Sequence, residues 1–243
     1  MSDRTAAAPG FPITHRNRVR RLHERGRYDT AAIYAILDAA MLCHLAYVID
    51  GQPYATPTAF WREGDRLYWH GSSASRMLRA QSEGIPVCLT VAHLDGLVLA
   101  RSAFHHAVNY RSVMAFGRAR RIEDPAEKLR AMTAFVERFF PGRTAALRPP
   151  TTQEVKATAI LGMRIEQASA KRRIGPPVDD EADYVAAVWA GVIPLATVVG
   201  EPSPCPRLPE GMAPGPDLAA YAPGRRLDAA LAKNRAMMPD AEP

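Results

Sequence analysis

The segment Leu67-Tyr68-Trp69-His70-Gly71-Ser72-Ser73-Ala74-Ser75-Arg76-Met77-Leu78 holds an apolar run that stops at a small, hydroxyl-rich turn, with an arginine opening the next element. That order of residue types suits a phosphate cradle. A strand feeding a helix start aims several unpaired backbone N–H groups and the positive end of the helix dipole at one point. The hydroxyls of Ser72, Ser73 and Ser75 add donors, and the planar guanidinium of Arg76 can grip two phosphate oxygens at once. A plainer reading of the same residues needs only an N-cap at Ser72 or Ser73 and a solvated Arg76.

The other side chains able to do chemistry are scattered. His70, beside the cradle, could orient a substrate or donate a proton, and it is equally a structural histidine at a strand end. His105 and His106 are adjacent, so they point to opposite sides of their element, which argues against a paired metal site. His44 and His93 fall in strand-like segments and read as core or interface residues. Trp61, Trp69 and Trp189 read as core. Cys43, Cys88 and Cys205 are odd in number and lack close spacing, so neither a zinc ribbon nor a disulfide framework is expected, and a reduced, cytoplasmic setting is inferred. No Ser/His/Asp or Cys/His order calls for a covalent nucleophile. No metal site is expected.

The formal charge of +6 is local: between His15 and Tyr28, six arginines (Arg16, Arg18, Arg20, Arg21, Arg25, Arg27) stand against Glu24 alone. Without interleaved aromatics this reads as a solvated arm or a clamp on acidic groups of its own fold, and it argues against a nucleic-acid partner. No apolar run approaches the ~18 residues a membrane-spanning helix needs, so no membrane partner is expected.

Three parts are expected: an Ala/Pro-rich N-terminal arm over 1–13, taken as mobile; a core domain over 14–200; and a proline-rich tail over 201–243, where Pro202, Pro204, Pro206, Pro209, Pro214 and Pro216 oppose long regular structure. Within the core, Asp29 or Thr30 caps a helix with Ile33, Ile36, Leu37 and Ala40 on one face. Strands are expected over 41–49 and 52–61 around an Asp50-Gly51 hairpin, then over 66–70 after Glu63-Gly64-Asp65, and over 86–94. A second hairpin is expected at Asp95-Gly96, leading into 97–101. A strand over 110–122 precedes a helix opened by Asp124-Pro125, with Leu129, Met132, Val136 and Phe139 buried, and a strand over 157–167 completes the set. Six or more antiparallel strands with a few helices point to a mainly β fold, a small barrel.

Five motifs in order carry a resemblance: Tyr54-Ala55-Thr56-Pro57-Thr58, His70-Gly71-Ser72-Ser73-Ala74-Ser75-Arg76, Asn109-Tyr110-Arg111-Ser112-Val113, Glu127-Lys128-Leu129 and Ser169-Ala170-Lys171-Arg172-Arg173. Over most of the core the chain resembles the pyridoxamine 5'-phosphate oxidase-related flavoproteins, in the branch with the nitroimidazole-resistance proteins. The resemblance implies an FMN-binding split barrel working as a homodimer. His70 and Gly71 match the strand end before the phosphate grip, with Ser72 in the turn; Ser75 and Arg76 match the grip's first two members, and Met77 stands where a lysine is usual. Thr56, Pro57 and Thr58 match a strand along the isoalloxazine, and Tyr110, Arg111 and Ser112 a strand in the same region. Lys171 and Arg172 match a late basic motif facing the flavin's N1/O2 edge, or else belong to a surface loop. The region 188–195 lacks the charge and imidazole of a true pyridoxamine phosphate oxidase.

The implied function is an FMN-dependent oxidoreductase acting on a small substrate such as a nitro-aromatic compound, with a nicotinamide reductant and His70 the one catalytic candidate. A haem-binding protein on the same barrel, a non-catalytic flavin-binding module, and a deazaflavin in place of FMN stay open as alternatives.

Overall fold

The computed structural model describes residues 9–237. Among these residues nine strands form in chain order: β1 (Gly26–Arg27), β2 (Leu42–Ile49), β3 (Gln52–Glu63), β4 (Arg66–Ser72), β5 (Glu83–Leu99), β6 (Ala107–Arg121), β7 (Thr158–Arg164), β8 (Gln167–Arg173) and β9 (Gly191–Pro194). The helices are α1 (Thr30–Asp38), α2 (Arg76–Gln81), α3 (Pro125–Phe139), α4 (Thr152–Ala157) and α5 (Leu227–Ala236), with short 3₁₀ turns between. The strands hydrogen-bond in the order β1-β8-β6-β7-β4-β3-β2-β5-β9, and a further β5–β6 pairing closes six of them into a ring. This ring is the expected split barrel. No helix among the described residues is long and apolar enough to cross a membrane.

Two compact units divide these elements: one takes the described part of Met1–Leu37 with Leu89–Phe116 and Glu166–Ala196, the other Asp38–Cys88, Gly117–Ile165 and the described part of Thr197–Pro243. In the second, the β2–β3 hairpin turns at Asp50 (φ 50°) and Gly51 (φ 78°), the paired left-handed residues that a two-residue turn of this twist requires. Ile49 then faces Gln52, and the same register runs back to Leu42 opposite Ala59. Trp61, Tyr68, Ile122, Ala131, Phe139, Ile160 and Leu231 make the core cluster of this unit.

Several expectations meet a different structure. At Asp95-Gly96 there is no hairpin, because β5 runs straight through both residues. Gly96 is instead a close-approach glycine: a Cβ there would sit 3.1 Å from the Ile193 carbonyl oxygen of β9. On α3 the core receives the expected Met132 and Phe139 together with Ala131 and Phe135, whereas Leu129 is 41% exposed. The buried stripe is rotated by about one position from the apolar spacing, since Lys128 and Arg138 are drawn inward with it. The strand expected over 157–167 is β7, and β8, which was not expected, follows it from Gln167, so the late basic motif lies on a strand. β8 has little β propensity of its own, and its pairing with β6 and β1 makes it a strand. Trp61 and Trp69 are buried, but Trp189 is 63% exposed, its indole lying over the hydrogen face of Gly191. His44 is exposed on β2, so of the two readings, core or interface, the core one does not hold.

Both ends hold more structure than composition suggests. Of the arm, 1–8 lie outside the described residues, but Phe11 N donates to Tyr28 O at 2.9 Å and Gly10 bridges to Asp29. Beyond Pro223 the proline run is over, and Leu227-Asp-Ala-Ala-Leu-Ala-Lys is free to form α5, which buries Ala230, Leu231 and Asn234. Asn234 Nδ2 donates to Phe139 O at 2.6 Å, tying the last helix to the end of α3.

Candidate functional site

β4 delivers the chain through Ser72 into a turn, and α2 begins at Arg76 with Ser75 as its N-cap. The Ser75 side chain makes no cap hydrogen bond, so its hydroxyl and the first N–H groups of the helix remain to be satisfied from outside. Gly71 lets the helix come close: a Cβ there would press to 3.0 Å on Leu78 Cδ1. These features keep the cradle open to an anion.

Arg76 links this cradle to a second predicted motif. Its Nη2 donates to Tyr54 Oη at 3.1 Å, and its guanidinium lies 5.3 Å from the Tyr54 ring centroid. Tyr54 stacks on Tyr47, whose hydroxyl is 2.9 Å from Thr56 Oγ1. Tyr54, Thr56 and Thr58 alternate along one face of β3, so the unit brings Thr56, Pro57, Thr58, His70, Gly71, Ser72, Ser75 and Arg76 onto β3, β4 and the start of α2. Tyr54, which carries the link, belongs to the first sequence motif but has no role assigned by it. An aromatic two positions before Thr56 on the same strand face is the signal that could have found it. Arg79 stands three positions after Arg76, on the same side of α2.

The register also says which backbone atoms of β3 are open. Phe60 N donates to Met41 O, so pairs of that parity are the hydrogen-bonded ones, and Thr56 and Thr58 share it. Their peptide groups face β2. The groups of Ala55 and the carbonyl of Pro57 face the other way, along a length of β3 that β4 leaves unpaired, since β4 joins only Phe60–Glu63. Prolines at 53 and 57 are tolerated there because that edge asks nothing of their missing N–H.

The first unit assembles the other candidates as cross-strand pairs of β6 and β8: Tyr110 opposite Arg173, Arg111 opposite Arg172, and Ser112 opposite Lys171. Arg111 holds Asp95 in a bidentate pair, Nε to Oδ2 and Nη2 to Oδ1 both at 2.9 Å. Its charge is therefore already matched within the fold. Ser112 Oγ donates to Lys171 O at 3.3 Å, and Lys171 Nζ reaches Arg21 O at 3.4 Å. Arg172 is exposed.

His70 packs edge-on against Phe135 at 4.6 Å and lies 6.0 Å from Trp61. Its Nδ1 is buried with no hydrogen-bond partner, and burial lowers its pKa below the usual 6.5. The ring is held neutral, which suits an acceptor or a neutral donor and not a standing cation. The unfolded imidazole binds a proton more readily than the folded one, so stability from this residue is present above pH 6.5 and declines as pH falls below it. Replacing His70 with Phe is expected to flatten that decline in urea midpoints measured across the window; a pH profile unchanged by the substitution would refute the assignment.

The pyridoxamine 5'-phosphate oxidase family model matches residues 29–172, more than half of the chain. The chain belongs to this family. Among solved structures it is similar to the flavocytochrome Anf3 from Azotobacter vinelandii, at 46% identity and a TM-score of 0.82, covering 89% of this chain and 100% of that one. It is also similar to an FAD and haem binding protein from Mycobacterium smegmatis, at 38% identity and a TM-score of 0.79, covering 84% of this chain and 98% of that one. No curated protein matches. Ser75 and Arg76, which the resemblance reads as the start of a phosphate grip, lie at the turn before α2, and Met77 beside them is half-buried.

Proposed function

We propose that this member of the pyridoxamine 5'-phosphate oxidase family is a flavin-dependent oxidoreductase, with the flavin phosphate seated at Ser75 and Arg76. The observation that carries this is the uncapped start of α2 with Arg76 reaching across to Tyr54, beside the free edge of β3. A flavin there would meet the peptide groups of Ala55 and Pro57 along its polar edge, while the bound ring supplies the two-electron chemistry. Arg76, Ser72 and Ser75 hold the phosphate; His70, neutral and half-buried, is the one candidate for a proton role near the ring.

Of the two flavins, FAD fits the charge better than the FMN implied by the sequence motifs. A terminal phosphate monoester carries nearly two negative charges at pH 7, whereas each phosphate of an internal diphosphate carries one. A grip with Arg76 and no lysine at position 77 matches the single charge. The similarity to an FAD and haem binding protein and to a flavocytochrome supports the same choice, and favours haem as a second cofactor.

A homodimer would cover Phe104 and Val185, which are 90% and 89% exposed. Three cysteines, none of them in a disulfide, suit a reducing compartment such as the cytoplasm. A nicotinamide reductant and a small acceptor complete the proposed reaction.

The deciding experiment is chromatography of the flavin released by heat from the purified protein, with a visible spectrum taken beforehand. FAD together with a Soret band is expected. FMN alone would overturn the FAD assignment, a missing Soret band the haem reading, and the absence of any flavin the whole proposal. Rapid mixing of the holoprotein with NADH and NADPH is expected to bleach the flavin, and a failure with both would leave a binding module without turnover.

A further inference from the structure

Within the first unit, two segments far apart in the chain meet beyond the end of β5. One is the 3₁₀ turn Ala103–His105; the other is the 3₁₀ turn Glu181–Val185, with Asp180 as its N-cap. Arg101 fastens them together. Its backbone N donates to Asp179 Oδ1 at 2.8 Å, its Nη1 donates to Oδ2 at 3.0 Å, and its guanidinium lies 4.8 Å from the Tyr184 ring centroid. The Asp179 side chain is fully buried in this pair, so the two charges satisfy each other and hold both segments in place.

Beside that lock, His105, Asp180 and Asp183 converge. One ligand atom from each lies within 4.8 Å of the other two, yet among the described residues no hydrogen bond or ion pair joins these side chains to one another. Neither carboxylate has a cationic partner there, although Asp38, Asp65, Asp95, Asp179, Asp217 and Asp228 each pair with an arginine. Two carboxylates held this close repel unless a cation lies among them. Donors bonded to one ion at about 2.1 Å stand roughly 3–4 Å apart, so small side-chain rotations bring these three onto it. The imidazole is already oriented. Ser102 Oγ lies 3.0 Å from His105 Nδ1, and Phe104 packs edge-on to the ring at 5.5 Å. With the Nδ1 proton given to Ser102, Nε2 keeps its lone pair for a metal, which is how ligating histidines are commonly backed.

We infer that His105, Asp180 and Asp183 form a binding site for a divalent transition-metal ion. One imidazole with two carboxylates suits Mn²⁺ or Zn²⁺, whereas Mg²⁺ and Ca²⁺ take oxygen ligands. Water completes the coordination beyond the three protein donors, and the ion cross-links the turn after β5 to the segment 180–183. The sequence expectation of no metal weighed the adjacent His105 and His106 as a pair; the fold supplies His105 with two aspartates from elsewhere. The site is independent of the flavin.

The test is Mn²⁺ titration of the chelator-treated, flavin-loaded, full-length protein, followed by electron paramagnetic resonance. One bound Mn²⁺ per chain is expected, showing nitrogen hyperfine coupling and displaced by equimolar Zn²⁺ but not by equimolar Mg²⁺. Asp180→Asn and Asp183→Asn are each expected to raise the Kd at least tenfold, and His105→Gln to remove the nitrogen coupling, all with the melting temperature of the metal-free protein unchanged. Asp180 is exposed, so its substitution leaves folding intact and keeps the test decisive. Glu181→Gln, which removes a charge from the same turn but no ligand, is expected to leave binding as it is. No Mn²⁺ uptake by the wild type, Mg²⁺ competing as well as Zn²⁺, or Glu181→Gln weakening binding as much as Asp180→Asn would each overturn the site.

Discussion

Asp38→Ala is expected to destabilise the protein by about 3–5 kcal/mol, the cost of leaving buried cations without their counter-charge. Asp38 accepts from Arg62 Nε at 3.0 Å and pairs with Arg62 Nη2, with side chains 14% and 7% exposed. Arg138, 2% exposed, lies 3.8 Å from the same carboxylate and donates to the Asp38 carbonyl at 2.7 Å. Arg235 of α5 approaches it to 3.9 Å. One carboxylate thus serves three guanidiniums drawn from β3, α3 and α5. Burial already pushes the Arg138 pKa down, and the Asp38 charge is what opposes that shift. The prediction is read from the urea midpoint at constant slope. A loss below about 1 kcal/mol, the scale of an exposed pair, would show that the cluster is solvated instead.

Arg76→Ala is expected to weaken flavin binding by about 2 kcal/mol, close to thirtyfold in Kd, through loss of a charge-assisted phosphate contact. Folding stability should barely move, because Arg76 is exposed and its partner Tyr54 keeps its stacking on Tyr47. The measurement is flavin fluorescence during titration of the apoprotein. Met77→Lys, restoring the family's cation, should leave affinity equal or raise it. Full flavin content after purification of Arg76→Ala would remove the phosphate from this turn.

Much of the barrel was legible because its signals are local. Asp50-Gly51 dictates a left-handed pair and therefore a hairpin, Asp124-Pro125 opens α3 with Asp124 Oδ1 accepting from Glu127 N at 2.7 Å, and the run from Leu67 to Arg76 reads directly as strand, turn and helix. The Asp95-Gly96 dipeptide carries the same local signal and does not turn, since the distant strand β9 occupies the space that Gly96 leaves.

The candidate site divides along the same line. Ser75 and Arg76 were legible from residue type and order, because a phosphate grip needs adjacent donors and adjacency is written in the chain. The link from Arg76 to Tyr54, the free edge at Ala55 and Pro57, and the capture of Arg111 by Asp95 were not, since each joins strands distant in sequence. The arginine-rich stretch was legible as charge but not as structure: buried Asn17, bonded to Pro12 O and Ala168 O, fixes its start.

The residue order by itself determined the turns, the helix starts and the alternation of strand faces, which depend on backbone preferences within a few residues. Only the tertiary structure decided which alternating face is covered. Inward Leu45 and outward Leu42 are chemically alike and differ in burial because the ring closes on one side of β2. The same closure leaves His44 and the apolar β2–β3 face in the open.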